Sequence, residues 1–214
     1  MFDRDGKAND EKQKTFFNKH AEKWLDRWYR DPVTGEMNKH EKDFERLFSM
    51  IPLSDGQRVV DVGCGTGVLV PYIQPLIGGQ GILYEIDFAE KMIEENRRLH
   101  DAPNVVFLAT DIKSAPIDPE SIDVAICFSC FPHFRDKKTT MCTLQRMLKP
   151  GGMLIVSHFS SSHDLNNMHR GFEVVNHDMM PGEEEMRALH EGAGFDIRTF
   201  IDETGYYYIE SVKK

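Results

Sequence analysis

The chain has 214 residues, the length of one ordinary domain that can bury a core without disulfides or metals. It carries 35 acidic and 26 basic residues, for a net charge of -9, and the basic residues cluster only in pairs. Because a surface that follows phosphates needs a concentrated basic patch, we do not expect a nucleic-acid partner. The apolar runs are far shorter than the ~20 residues of a membrane span, and the start lacks the form of a signal peptide, so we expect a cytoplasmic protein without a membrane span.

The first fifty residues predict two helices that cover the remainder of the chain. Residues 1–14 are polar, and we expect the first dozen to be mobile. From Thr15 to Tyr29 the aromatic and apolar residues recur at helical steps, and a second helix is predicted from Asn38 to Ser49. We interpret residues 1–50 as a helical N-terminal cover within a single domain of residues 1–214.

From Arg58 onward, strand and helix patterns alternate. Near-continuous apolar strands of this kind fit a sheet that is covered on both faces, so the alternation predicts an α/β fold with a doubly wound, mostly parallel sheet. The predicted strands lie near 58–62, 82–86, 104–109, 122–128 and 153–159, and the predicted helices near 67–76, 88–99 and 137–147.

The C-terminal third predicts a turn, a long loop and a hairpin. Pro150, Gly151 and Gly152 predict a turn before the fifth strand. The polar segment 160–180 is long for a loop in a compact domain, so we expect it to face an acceptor. After a helix at 183–192, two strands near 195–201 and 205–212 form an antiparallel hairpin.

The most informative segment is an apolar strand that runs through Asp61 into Gly63, Gly65 and Gly67. Glycines at such a turn let the backbone approach a ligand closely, and a helix that follows directs its free N-H groups to the same place. The spacing is G-x-G-x-G, not the G-x-G-x-x-G of dinucleotide enzymes, and an acid precedes it. A pyrophosphate would be repelled by Asp61, so we expect a nucleotide-like ligand that carries positive charge.

Two further acids end the next two predicted strands. Asp87 follows the glycines close to the ~20-residue offset at which an acid reaches a ribose diol. Asp111 ends the third strand. Because the carboxyl ends of parallel strands meet at one crevice, Asp61, Asp87 and Asp111 are predicted to converge there.

Residues 56–160 resemble a class I S-adenosylmethionine-dependent methyltransferase of the small-molecule type, with a methyltransferase-11-like core. The matching motifs are VDVGCGTG at 60–67, EIDFAEKM at 85–92, TDI at 110–112 and LKPGGML at 148–154. The resemblance implies a Rossmann-like sheet of seven strands and S-adenosyl-L-methionine as cofactor. It assigns the cofactor's amino-acid end to Asp61, the ribose hydroxyls to Asp87 and the adenine amine to Asp111.

The complete set of cofactor-binding residues predicted in this way is Asp61, Gly63, Cys64, Gly65, Thr66, Gly67, Glu85, Asp87, Phe88, Asp111, Ile112 and Phe128. Two interpretations of Glu85 remain open. It is either a second contact with the ribose or with the methionine end of the cofactor, or simply a strand residue at the edge of the buried region.

His133 is the first candidate for a general base, because the fourth strand leads to it at the rim of the crevice. The alternative is that His133 packs or hydrogen-bonds within its own loop. Five of the nine histidines lie between 133 and 177, which indicates a polar surface that recognises an acceptor. The predicted substrate-binding residues are Trp24, His158, His163, His169 and Arg170.

The chain has only four cysteines, and they lie in apolar segments. This pattern favours reduced thiols over a disulfide framework. Cys127 and Cys130 form a C-x-x-C pair without a second pair at the spacing of a zinc finger, so we interpret them as core residues and predict no metal site.

The sequence thus predicts an enzyme that transfers a methyl group from S-adenosyl-L-methionine to a small-molecule acceptor. Open alternatives are a quinone or other ring C-methyltransferase, a metalloid or thiol methyltransferase, and a regulatory protein that binds the cofactor without catalysis. An NAD-dependent oxidoreductase is disfavoured by the glycine spacing and by Asp61.

Overall fold

A computed structural model of the protein describes residues 4–214, with side chains from Asp10 onward. In it seven strands form one sheet in the order β3-β2-β1-β4-β5-β7-β6. The first five strands pair in parallel, and β7 is antiparallel to both of its neighbours. The strands are β1 (Arg58–Val62), β2 (Ile82–Asp87), β3 (Val105–Ala109), β4 (Ile122–Phe128), β5 (Leu148–His158), β6 (Phe195–Glu203) and β7 (Tyr206–Lys213).

Helices cover both faces of the sheet. They are α1 (Arg4–His20), α2 (Trp24–Tyr29), α3 (Glu41–Met50), α4 (Val70–Ile77), α5 (Glu90–His100), α6 (Lys137–Met147), α7 (Ser162–Arg170) and α8 (Glu183–Gly192). Short 3-10 turns occur at Ala21–Lys23, Ile112–Ser114 and Phe131–His133. Across the part of the chain that is described, no helix has the length and apolar character needed to cross a bilayer.

The sheet separates two apolar cores. Successive side chains of a strand point to opposite faces. Val60 and Ala125 accordingly belong to one buried cluster, whereas their neighbours Val59 and Val124 belong to the other. Burial on both faces explains why the central strands are apolar at nearly every position, and it confirms the predicted fold class.

The C-terminal hairpin closes one side of the sheet, as predicted. The buried Tyr206, Tyr207 and Tyr208 place β7 between β5 and β6. At its end, Lys213 Nζ donates to the carbonyl of Leu148 at 2.8 Å. The turn between the strands consists of Thr204 and Gly205 alone.

The predicted turn before the fifth strand is a bulge within β5. Leu148 already pairs with Ile122, and the next pair joins Val124 to Met153. Residues 149–152 therefore leave the ladder without ending the strand, which is why β5 begins earlier than predicted.

The prediction of a loop over 160–180 is wrong for residues 162–170, which form α7. Ser161 caps this helix, because its hydroxyl accepts a hydrogen bond from the N-H of Asp164 at 3.1 Å. Leu165 and His169, one turn apart, bury the inner face. The polar composition concealed a helix that has only two buried positions.

The N-terminal helix starts at Arg4, well before the predicted start at Thr15, and the 3-10 turn divides it from α2. The expectation of a mobile start falls partly on residues 1–3, which lie outside the described residues. Among the described side chains of α1, Asp10 bonds to Arg135 and Gln13 bonds to Asp178.

Candidate functional site

A crevice with a volume of about 930 Å³ lies at the carboxyl ends of β1 to β4. In an open α/β sheet, ligands bind at this edge. The strands contribute Asp61 to Thr66, Ile86 to Phe88, Ala109 to Lys113 and Phe128 to Cys130, and the N-terminal helices contribute Gln13, Phe17, Trp24 and Tyr29 from above.

The glycine turn forms the floor of the crevice. The N-H groups of Gly63 and Cys64 both donate to the carbonyl of Ile86, at 2.7 and 3.0 Å, which ties the turn to β2. Gly63 has a φ of +65°, and a Cβ there would lie 2.6 Å from Cys130 Cβ. A Cβ at Gly65 would meet Trp24 Nε1 at 3.6 Å and would narrow the space that separates the turn from the helical cover.

Asp87 connects β2 to the glycine turn. Its Oδ2 accepts from the N-H of Gly65 at 3.0 Å, and its Oδ1 accepts from the N-H of Ala89 at 2.8 Å. Burial raises the pKa of Asp87 to about 6, although these hydrogen bonds favour the ionised form. Each carboxylate oxygen retains a further lone pair, so Asp87 can also accept from a ligand in the crevice.

Asp61 has a carboxyl oxygen that is free to bind a ligand. The residue is 1% exposed, and its Oδ2 has no hydrogen-bond partner among the described residues. Burial, followed by the nearby charges of Glu85 and other acids, raises the pKa of Asp61 well above its usual range. Burial and the charge of Asp61 also raise the pKa of Tyr29. A cationic ligand bound beside Asp61 would favour its ionised form.

Asp111 lies at a more exposed part of the crevice, just after the end of β3. Its side chain accepts from the N-H of Lys113 at 2.8 Å and lies 3.4 Å from Lys113 Nζ. Phe88 contacts Phe17 edge to face at a ring distance of 5.9 Å, and Ile112 and Phe128 add apolar wall. The structure therefore brings the three predicted acids to one crevice.

Glu85 and Gly67 do not line the crevice but lie behind the glycine turn. Glu85 is fully buried, and its Oε2 accepts from Asn96 Nδ2 of α5 at 2.6 Å. Burial raises the pKa of Glu85 to about 7. Gly67 is required because a Cβ there would overlap Asn96 Oδ1. An asparagine at a buried position of an amphipathic helix is the sequence signal for this contact, and Asn96 was not among the predicted residues.

His133 faces the crevice from the 3-10 turn that follows β4, in contact with Asp178. His133 Nδ1 lies 2.7 Å from Asp178 Oδ2, and the same oxygen accepts from Gln13 Nε2 of α1 at 2.5 Å. His169 stacks on His133 at a ring distance of 5.2 Å, and Phe17 meets it edge to face at 5.7 Å. A carboxylate on Nδ1 fixes the proton there and leaves Nε2 as a proton acceptor.

The other predicted substrate-binding residues differ in their burial, which for those on α7 follows the helical period. His169 turns inward, and its Nδ1 contacts the carbonyl of Asp178. His163 is 80% exposed, Arg170 bonds to Asn167 on the surface, and neither lines the crevice. His158 is buried at the end of β5, where burial lowers its pKa to about 3. Trp24 lines the crevice, as predicted.

Helix α1 is fixed over the crevice by polar contacts at several points. Lys14 pairs with Glu90 at 2.5 Å, and Asn18 Oδ1 accepts from the N-H of Lys91 at 2.9 Å. The ring of Phe17 contacts that of Trp24 at 5.5 Å. The sequence indicated a cover, but Asp178 as the partner of both His133 and Gln13 comes from the structure alone.

No group of three His, Cys, Asp or Glu side chains suited to a metal ion occurs among the side chains that are described. All four cysteines are free thiols, and Cys130 Sγ donates to the carbonyl of Val62 at 2.8 Å. Burial raises the pKa of Cys130 well above its usual range, so this thiol is poorly suited to act as a nucleophile or a ligand.

Comparison with known proteins identifies the family. Residues 53–205 match the methyltransferase domain family, which is more than half of the chain. The chain belongs to this family. It is a class I S-adenosylmethionine-dependent methyltransferase, which confirms the resemblance found in the sequence, and the family implies S-adenosylmethionine as the methyl donor.

Among its relatives, this methyltransferase is 26% identical over 192 residues to the O-methyltransferase rstn1 of Aspergillus nomiae, covering 86% of this chain and 82% of the relative. It is 27% identical over 177 residues to the ubiquinone/menaquinone biosynthesis C-methyltransferase UbiE of Vibrio parahaemolyticus, covering 70% and 68%. A solved SAM-dependent methyltransferase from Aquifex aeolicus has the same fold, with a TM-score of 0.66 at 22% identity over 86% of this chain and 95% of that one.

Proposed function

We propose that this methyltransferase transfers a methyl group from S-adenosylmethionine to a small-molecule acceptor whose nucleophilic atom loses a proton to His133. The observation that carries the proposal is the contact of His133 with Asp178 at the rim of a crevice whose floor is the glycine turn and Asp87. One end of the crevice is acidic, and the other presents an oriented base.

The acidic end fits the methyl donor. Asp87 would accept from the ribose hydroxyls, the free oxygen of Asp61 would accept from the ammonium of the amino-acid end, and Asp111 would accept from the adenine amine. The buried Asp61 Oδ2, which has no hydrogen-bond partner among the described residues, supports this fit. Burying a carboxyl oxygen without a hydrogen bond destabilises the fold unless a ligand binds it. Three acids also suit a ligand with a sulfonium and an ammonium group.

The donor, when bound, supplies an electrophilic methyl group on a sulfonium. The residues of this chain do the remaining work. His133 Nε2 takes the proton from the acceptor, and Asp178 stabilises the imidazolium that forms. Phe17, Trp24 and Phe88 exclude water from the space beside it, and the alignment of two reactants in a dry site provides much of the rate enhancement.

A hydroxyl group is the acceptor atom that this arrangement favours. An oriented histidine is useful where a weak acid must be deprotonated, and the relative named as an O-methyltransferase supports this assignment. Ring C-methylation is the second candidate, supported by the relative named as a ubiquinone and menaquinone C-methyltransferase. The same base would serve it by deprotonating a ring hydroxyl that activates the neighbouring carbon.

The test is a metabolite extract incubated with the full-length protein and methyl-labelled S-adenosylmethionine. We expect label in a low-molecular-weight product, with the attachment to oxygen or carbon read by mass spectrometry and NMR. Calorimetry with S-adenosylmethionine and with NAD measures the donor preference independently. Binding of S-adenosylmethionine with no labelled product from extracts of varied origin would favour the regulatory alternative and contradict the proposed catalysis.

A further inference from the structure

Glu85 and Asn96 form a buried polar pair directly behind the glycine turn. Asn96 lies on the buried face of α5, and its Nδ2 donates to Glu85 Oε2 at 2.6 Å and to Cys64 Sγ at 3.4 Å. Both residues are 0% exposed, and neither lines the crevice. They therefore cannot act by touching a bound donor.

Packing alone does not account for this pair. A buried carboxyl and a buried amide destabilise the fold unless all their polar atoms find partners, whereas apolar side chains of similar volume would fill the same space. Here Glu85 Oε1 and Asn96 Oδ1 have no hydrogen-bond partner among the described residues. The pair is thus retained at a cost to stability, which points to a role outside packing.

The backbone of the turn fits closely against α5. A Cβ at Gly67 would overlap Asn96 Oδ1 and would lie 2.7 Å from His100 Cδ2, one helical turn further along. Gly67 also has a φ of +81°. Asn96 consequently contacts the turn near both of its ends, at Cys64 by a hydrogen bond and at Gly67 by close packing.

We propose that Asn96 is a positioning residue for the methyl donor, because through Glu85 and Cys64 it holds the glycine turn in the conformation that keeps Gly65 open to the crevice. The inference rests on the proposed donor site. Gly65 lies between the two contacts, and Asp87 bonds to its N-H from the other side. A turn released from α5 would lose the alignment of Gly65 with Asp87.

The first experiment measures the affinity of the full-length protein for S-adenosylmethionine and for S-adenosylhomocysteine by calorimetry. We expect Asn96→Ala to raise both dissociation constants about tenfold, the amount that loss of a charge-assisted hydrogen bond produces. Alanine is the best helix former, so α5 itself is preserved. Circular dichroism and the melting temperature report the fold of each variant.

Asn104→Ala is the matched control. Asn104 comes directly before β3, at the amino ends of the parallel strands and so away from the crevice. Its Nδ2 donates to the carbonyls of Gly78 and Gly81 at 3.0 and 3.2 Å. This variant loses hydrogen bonds of the same kind far from the glycine turn. We expect a lower melting temperature with an unchanged donor affinity.

The exchanged pair Glu85→Gln with Asn96→Asp separates positioning from simple damage. It retains one amide donor and one carboxylate acceptor, so the hydrogen bond between residues 85 and 96 can re-form with its polarity reversed. The contact with Cys64 can persist as well, since the thiol can then donate to the new carboxylate at position 96. We expect a donor affinity within about threefold of the wild type, whereas Asn96→Asp alone, which sets two carboxyl groups against each other without an amide donor, weakens binding about tenfold.

Three results would overturn the inference: a folded Asn96→Ala that binds the donor as the wild type does, an Asn104→Ala that weakens binding equally, or an exchanged pair that folds without recovering affinity. A wild-type protein that binds neither compound would instead overturn the proposed donor site, and this inference with it. Wild-type binding with a normal Asn96→Ala affinity overturns the inference alone.

Discussion

Asp87 can combine a structural role with the proposed binding of the donor in a single carboxylate. It accepts backbone hydrogen bonds from Gly65 and Ala89, which hold the glycine turn against the start of α5. Its remaining lone pairs face the crevice, where the ribose hydroxyls of the donor are proposed to bind. Loss of its charge should therefore reduce donor affinity more than it reduces folding.

We expect Asp87→Asn to weaken S-adenosylmethionine binding at least tenfold, because two charged hydrogen bonds contribute about 1.5–3 kcal/mol each. Calorimetry at neutral pH measures the change. Asp123→Asn is the control, since Asp123 also accepts a backbone N-H, from Arg58 at 2.8 Å, but lies at the opposite edge of the sheet. If Asp87→Asn binds S-adenosylmethionine as tightly as the wild type does, Asp87 does not bind the ribose hydroxyls.

Donor affinity should also depend on pH. Burial raises the pKa of Asp87 to about 6, and the ionised form is the one that accepts hydrogen bonds from the donor. The contribution of Asp87 to affinity should therefore be lost as the pH decreases through 6, by at most tenfold per pH unit. Calorimetric titrations from pH 8 to 5 measure the profile, and Asp87→Asn should flatten its lower part. A profile that rises toward low pH would contradict this assignment.

Helix α1 couples the cover of the crevice to the proposed base. Gln13 and His133 contact the same oxygen of Asp178, and Phe17 packs on the His133 ring. The position of this helix thus affects the orientation of the imidazole and the space beside it. The proposed donor contacts lie on the strand ends.

Gln13→Ala should lower the methylation rate about fivefold, close to the ~1 kcal/mol of one hydrogen bond, and leave donor affinity unchanged. Rates with the identified acceptor and calorimetry with the donor separate the two effects. Gln74→Ala serves as the control, because Gln74 is also a helical glutamine bonded by its amide, to Asn104 at 3.2 Å. A loss of donor affinity in the Gln13 variant would show that α1 acts on the donor and not on the base.

The molecule as a whole carries a group of buried acids at one edge of its sheet. Burial raises the pKa values of Asp61, Glu85 and Asp87 in the folded state above their unfolded values. Such groups favour folding below their unfolded pKa values, near 4, and this contribution is lost as the pH rises through about 6 and 7. A cationic donor that binds beside them restores stability by mass action.

Glu85→Gln should therefore stabilise the free protein relative to the wild type by more at pH 8 than at pH 5.5, with a difference of about 4 °C or more in melting temperature. The physical reason is that the wild type must bury a charge at pH 8 and a neutral acid at pH 5.5. Melting curves at both values test this. Glu184→Gln, on the exposed surface of α8, should show no such difference. A pH-independent effect of the Glu85 change would contradict the buried-charge explanation.

The sequence by itself determined the features that depend on local spacing. Apolar strands that alternate with amphipathic helices specify the doubly wound sheet, and the acids at the strand ends beside the glycine turn specify the crevice where the donor is proposed to bind. Asp61, Asp87 and Asp111 converge because parallel strands share one carboxyl edge, whatever the details of packing.

Only the tertiary structure decided the contacts between residues far apart in the chain. Gln13 and His133 meet at Asp178 because α1 packs over the crevice and the segment after α7 lies at its rim, and no spacing in the sequence encodes those packing directions. The helical period of α7 buries His169 and exposes His163 to solvent. The predicted loop has no such period, so the sequence did not separate the two histidines. Likewise, Asn96 reaches Glu85 across the interface of α5 with β2, where side-chain packing, and not propensity, selects the partner.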